Sequence, residues 1–110
     1  MIRSRRSVAP VIESFTFPKN LTRGKRLRAV CTVTEGDLPI DIEWRKDGVT
    51  LLPDTTLSGP KVRRIDEYTS LLAISSLETV HAGNYSCLAS NAVAEVAKSA
   101  VLTIRGKVTY

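Results

Sequence analysis

Apolar and polar residues alternate along much of this chain with a period of two, the pattern of strands that bury one face and solvate the other. Leu27, Ala29, Cys31 and Val33 make one inward set and leave Arg26, Arg28, Val30 and Thr32 outward. Ile40, Ile42 and Trp44 make a second, whose outward residues Asp41, Glu43 and Arg45 are all charged. Ser70, Leu72 and Ile74 oppose outward Leu71, Ala73 and Ser75, and Tyr85, Cys87 and Ala89 form a fourth set. Ala100, Leu102 and Ile104 complete a stretch that runs from Val96. Glycine and proline fall between these runs, where the chain must reverse: Gly24, Gly36 with Pro39, Asp47-Gly48, Gly59-Pro60, Gly83 and Gly106. Pro10 and Pro18 bracket a leading strand that belongs at a sheet edge, since proline donates nothing to a ladder. The parity of the strand near 61–66 stays open, because Val62 and Ile65 fall on opposite faces of an unbulged strand.

Cys31, Trp44 thirteen positions later, and Tyr85 two residues before Cys87 are the frame of an immunoglobulin-like β-sandwich. In that frame the five runs are strands B, C, E, F and G. Cys31 and Cys87 bridge B and F, Trp44 packs against the bond, and the Tyr85 hydroxyl ties back to nearby backbone. Leu72 joins them in the core. The stretch from Val49 to Pro60 is short and polar, with little room for a C″ strand. The expected fold is therefore all-β, of the intermediate I-set type. It has two antiparallel sheets, ABED and A′GFC, with C′ as an optional addition to the second and strand A switching edge.

At 110 residues the chain builds one sandwich. Its expected organisation is a flexible N-terminal segment or expression remnant at 1–8, the domain at 9–105 and a C-terminal linker at 106–110. Its longest apolar run is a few residues, too short to span a bilayer, and the first seven residues lack the apolar stretch of a secretory leader. Net charge is +5, and residues 1–28 carry eight Lys or Arg against one acid, Glu13. Such an excess attracts polyanions, but no aromatics interleave with it as stacking platforms. It reads as a solubilising edge, so neither nucleic acid nor direct membrane contact is expected.

A disulfide closing a loop of about 57 residues contributes roughly 4 kcal/mol by restricting the unfolded chain and belongs to an oxidising, extracellular location. Two N-glycosylation sequons agree with export: Asn20-Leu21-Thr22 and Asn84-Tyr85-Ser86. His81 is the only histidine. One imidazole and two bridged cysteines assemble neither a zinc set nor a Cys-His nucleophile, and no nucleophile elbow is present. No catalysis, metal or cofactor is expected. His81 itself reads as a corner residue with a local hydrogen bond, the alternative being a pH sensor.

The runs Phe15-Thr16-Phe17-Pro18-Lys19-Asn20-Leu21, Gly36-Asp37-Leu38-Pro39-Ile40-Asp41-Ile42-Glu43-Trp44 and Arg64-Ile65-Asp66-Glu67-Tyr68, with His81-Ala82-Gly83-Asn84-Tyr85-Ser86-Cys87, resemble the Dscam family (Down syndrome cell adhesion molecules). The likeness is to its arthropod members, in particular the variable seventh immunoglobulin domain of insect Dscam and the first domain of shortened chelicerate forms. The Cys-Trp-Cys frame is shared by many unrelated chains, whereas Gly-Asp-Leu-Pro-Ile-Asp-Ile and Arg-Ile-Asp-Glu-Tyr are far more specific.

The resemblance implies a cell-surface module of a single-pass membrane protein. Its partners would be a second copy of itself, bound isoform-specifically through antiparallel pairing of the ABED face, and the neighbouring immunoglobulin domains of its own chain. The outward residues expected at that face are Arg28, Val30, Thr32, Arg63, Arg64, Asp66, Leu71 and Ala73. A two-fold contact forces arginines off the axis, with acids such as Asp66 or Glu67 opposite. The competing reading is a spacer domain of a longer cell-surface or muscle-type protein, with no binding site of its own.

Overall fold

The computed structural model describes residues 7–52 and 59–106. Eight strands, β1 (Val11–Ile12), β2 (Leu27–Glu35), β3 (Asp41–Lys46), β4 (Val49–Thr50), β5 (Lys61–Asp66), β6 (Thr69–Ile74), β7 (Gly83–Ser90) and β8 (Glu95–Leu102), form two antiparallel sheets ordered β1-β2-β6-β5 and β4-β3-β7-β8. These are the A-B-E-D and C′-C-F-G layers of an immunoglobulin-like sandwich. A 3-10 turn at Thr79–His81 leads into β7.

Burial follows the alternation. Leu27, Ala29, Cys31, Val33, Ile40, Trp44, Ser70, Leu72, Ile74, Tyr85, Cys87, Ala89 and Leu102 are buried, and Ile42, Ala100 and Ile104 are partly buried against them. Cys31 and Cys87 form the disulfide between the sheets, with Cα atoms 6.3 Å apart, and Trp44 is the register partner of Cys87. The inward hydroxyl of Ser70 has a partner, for the buried Trp44 Nε1–H donates to its Oγ at 3.2 Å. This bond links β3 to β6 across the sandwich and satisfies an indole donor that would be costly to bury unpaired.

The segment before β2 departs from the expected A′ strand. It meets the β8 side through one parallel bridge, Thr22 with Arg105, and the Arg105 amide donates to the Leu21 carbonyl at 2.7 Å. Pro18 has no N–H to offer, and Asn20 is left-handed at φ 68°, outside the strand region. What holds the segment is aromatic packing. Phe15 meets Trp44 edge-on at 5.3 Å between ring centroids, and Phe17 meets Tyr85 at 5.5 Å.

C′ is present as the two-residue β4. Asp47 and Gly48 both have positive φ (50° and 84°), the requirement of a type I′ turn, whose twist matches the flanking strands. A register shift between Arg64 and Asp66 resolves the parity of β5: Val62 lies opposite Leu72 and packs on the core, while Ile65 at the irregularity is exposed. Of the expected flanks, residues 1–6 and 107–110 lie outside the described residues. Val8 exchanges two hydrogen bonds with Asp37: its N–H donates to the side-chain Oδ2 at 2.9 Å and its carbonyl accepts the Asp37 amide at 3.0 Å. Asn91 Nδ2 donates to that same carbonyl at 2.9 Å.

Candidate functional site

The outer face of the β1-β2-β6-β5 sheet gathers most of the surface residues expected from sequence, in rows set by register. Val30 is paired with Leu71, and Leu71 with Arg63. On one side of this row lie Arg28, Ala73 and Lys61; on the other lie Thr32, Thr69 and Asp66. Neighbouring strands are about 4.8 Å apart, so each row is a contiguous strip. Val30 is 44% exposed and Leu71 is half-buried. The central strip is thus apolar with Arg63 at its β5 end.

Charge runs along the strands. Arg28 and Lys61 stand toward one end of the face, with Arg63 in the central row. Toward the other are Asp66, Glu35 at the β1 pairing, and Glu13, whose amide donates to the Thr32 carbonyl at 2.8 Å. The Asp66 carboxylate accepts the Tyr68 amide at 2.8 Å. That bond first, and the Thr69 hydroxyl second, hold it below the usual carboxylate range. It remains ionised on the face at neutral pH.

Arg64 does not join this face. Its register partner is Ser70, which points inward, so Arg64 has the opposite parity to Arg63 and its side chain turns around the sheet edge. Its Nη2 donates to the carbonyls of Ile40 and Glu67, both at 2.7 Å, and its Nε to that of Asp66 at 2.7 Å. Three acceptors on two loops make it a clamp between the β5–β6 turn and the entry to β3. Parity alone could not reveal this, because the acceptors are backbone carbonyls brought near by folding.

The outer face of the other sheet is arranged differently. Its apolar members, Leu88 and Val101, belong to separate rows, Leu88 beside Ala97 and Val101 beside Asn84, with Ser86 and Ser99 between them. The Ser86 and Ser99 hydroxyls share a hydrogen bond at 2.8 Å. On the charged outer edge of β3, Glu43 binds Arg45 and accepts the Thr50 hydroxyl at 2.8 Å. Those two bonds, Arg45 first, hold Glu43 low.

At the corner before β7 the Tyr85 hydroxyl donates to the His81 carbonyl at 2.6 Å, and the His81 Nδ1 accepts the Glu78 amide at 2.8 Å. His81 is buried, and its role is the local bond expected of it. Asn20 and Asn84 are both exposed. Among the described residues no group of three or more His, Cys, Asp or Glu converges as metal ligands would.

Comparison with known proteins agrees with this architecture. The model of the immunoglobulin domain family matches residues 9–91. The chain is 45% identical over 98 residues to the cell adhesion molecule Dscam2 of Drosophila melanogaster, a match covering 89% of this chain and 5% of that protein. It spans about a twentieth of that relative's length. The crystal structure of the Dscam1 Ig7 domain, isoform 5, superposes with a TM-score of 0.85 at 27% identity, over 91% of this chain and all of that one (100%). Isoform 9 of the same domain gives 0.80 at 32% identity, over 87% of this chain and 99% of that one.

Proposed function

The chain belongs to the immunoglobulin domain family, in its Dscam branch, and on that premise we propose that it is an extracellular recognition module that binds a second copy of itself through the outer face of the β1-β2-β6-β5 sheet. Flanking immunoglobulin domains and a single membrane anchor complete the protein on this reading. The observation that carries it is the apolar Val30–Leu71 pair lying between a basic and an acidic end of one face. Charge so divided along the strands is complementary to its own inverse, which is what antiparallel self-pairing requires.

The two-fold rule also selects a register. An axis across the Val30–Leu71–Arg63 row would set Arg63 against its own copy. An axis between that row and the Thr32–Thr69–Asp66 row sets Arg63 over the partner's Asp66 instead, twice by symmetry, and Val30 over the partner's Thr32. A sister isoform with a different residue at 63 or 66 then meets like charge or an unpaired group, and discrimination follows from that penalty. An interface of ordinary size buries about 800 Å² per partner, and such a contact need bind only weakly when many copies act between two membranes.

Sedimentation equilibrium of the isolated domain tests the reading. A concentration-dependent dimer is expected; a monomer up to roughly hundreds of micromolar would leave the chain a spacer between neighbouring domains.

A further inference from the structure

Two exposed asparagines in glycosylation sequons are not used by the recognition face, and both lie off it. Asn84 is on the outer surface of β7, in register with Val101, which is 63% exposed. Asn20 is at the bend just before Thr22, whose bridge to Arg105 and neighbouring Leu21–Arg105 bond fix it beside the far end of β8. A shallow cleft whose lining includes Phe17, Pro18, Lys19, Val101 and Thr103 is bordered by Lys19, the chain neighbour of Asn20, and by Val101, the register partner of Asn84. Neither asparagine shares a strand or a row with Arg28, Val30, Arg63 or Leu71.

We infer that Asn20 and Asn84 are acceptors of N-linked glycan, and that their positions shield the β4-β3-β7-β8 side while leaving the β1-β2-β6-β5 face bare. The inference rests on the exported, self-binding reading above. The chemistry needs a lipid pyrophosphate-linked oligosaccharide, supplied in the secretory pathway. The asparagine amide nitrogen bonds to the anomeric carbon, the bond from that carbon to the pyrophosphate oxygen breaks, and lipid pyrophosphate and the amide proton leave with no change of oxidation state. The hydroxyl residue two positions on, Thr22 or Ser86, completes each acceptor sequence. A first sugar on Asn84 would lie across its register partner Val101 and remove an isolated apolar side chain from water.

The test is intact-mass measurement of the full chain secreted from insect cells behind a supplied leader, before and after glycanase treatment, followed by sedimentation. Two glycans are expected, both absent from the Asn20→Gln/Asn84→Gln variant, and a single glycan overturns one of the two acceptors. Ser86→Ala, which keeps Asn84, should abolish any glycan there, so a folding defect of Asn84→Gln cannot mimic the result. The dimer constant should change by less than about twofold when glycan is removed. A secreted chain of bare polypeptide mass overturns the acceptors, and self-association strengthened about tenfold or more by glycan removal overturns the bare face. A glycosylated chain that stays monomeric supports the acceptors and overturns only the self-binding reading.

Discussion

Asp47 and Asn84 bind each other twice: the Asp47 amide donates to the Asn84 carbonyl at 2.8 Å, and the Asn84 amide donates to Asp47 Oδ1 at 2.9 Å. The I′ turn after β3 is thereby fastened to the start of β7, one residue from the tyrosine that anchors the corner. Gly83 is what lets the carboxylate approach. A β-carbon built there would stand 2.6 Å from Asp47 Oδ2, at φ 156°. Gly83→Ala should therefore cost on the order of 1–3 kcal/mol in urea unfolding, and a variant as stable as the parent would show that the turn has room to move.

Among the described residues three carboxylates lie below their usual range: Asp47 through the Asn84 amide and then Lys46, Asp66 through the Tyr68 amide and then Thr69, and Glu43 through Arg45 and then Thr50. In the unfolded chain these groups take up protons near pH 4, at higher pH than in the folded one. Stability should be at its plateau above about pH 5 and should fall as pH drops through about 4 toward the lowered folded values. Denaturant midpoints measured from pH 7 to 3 check this. Asp47→Asn should flatten part of the slope.

Tyr85 supplies the opposite limb. Burial first, and the Asp47 charge second, push its phenol above the ordinary value, so the unfolded chain ionises first as pH rises past about 10. The contribution is complete below that pH and is lost as pH climbs toward the folded value. Tyr85→Phe removes this alkaline dependence, and loss of the bond to the His81 carbonyl should cost about 1–2 kcal/mol at neutral pH.

Ser70 shows what alternation can and cannot reveal. Its inward parity is legible from Leu72 and Ile74, and so is the whole cystine frame, because strand period and the Cys-Trp-Tyr-Cys spacing are local facts of sequence. Its partner is not, since the Trp44 indole arrives from the other sheet. Phe15 and Phe17 are hidden for the same reason: a segment without a ladder leaves no periodic signal for its packing. The recognition rows are legible on β2 and β6, where parity is unbroken, and fail on β5, where the irregularity after Arg64 brings Asp66, three residues from Arg63, onto the same face as Arg63. Ser70→Ala should leave the buried indole donor unpaired and cost about 1–3 kcal/mol. Trp44 fluorescence during denaturant unfolding measures it directly.

Arg64 and Arg63, adjacent in sequence, should respond oppositely to charge reversal. Arg64→Glu removes three bonds to the carbonyls of Ile40, Asp66 and Glu67 and should lower stability, with any loss of self-association following the unfolded fraction. Arg63→Glu should leave the unfolding midpoint nearly unchanged and weaken the dimer about tenfold or more, since like charges then face each other twice across the axis.

The strongest consequence of the proposed register concerns mixtures. Arg63→Glu alone sets the introduced carboxylate over Asp66 at both symmetric positions, and Asp66→Lys alone sets the introduced ammonium over Arg63, so each variant should self-associate poorly. In a mixture of the two, one contact joins the introduced carboxylate to the introduced ammonium, and the other remains Asp66 over Arg63. Both are attractive, and a heterodimer should form where neither homodimer does. Because the Asp66 carboxylate also accepts the Tyr68 amide, Asp66→Asn serves as the control that keeps an acceptor for the turn while removing the charge. Sedimentation of the two variants labelled with different chromophores separates the outcomes: co-sedimentation only in the mixture is expected, and homodimers undiminished in both would move the contact to the outer face of the other sheet.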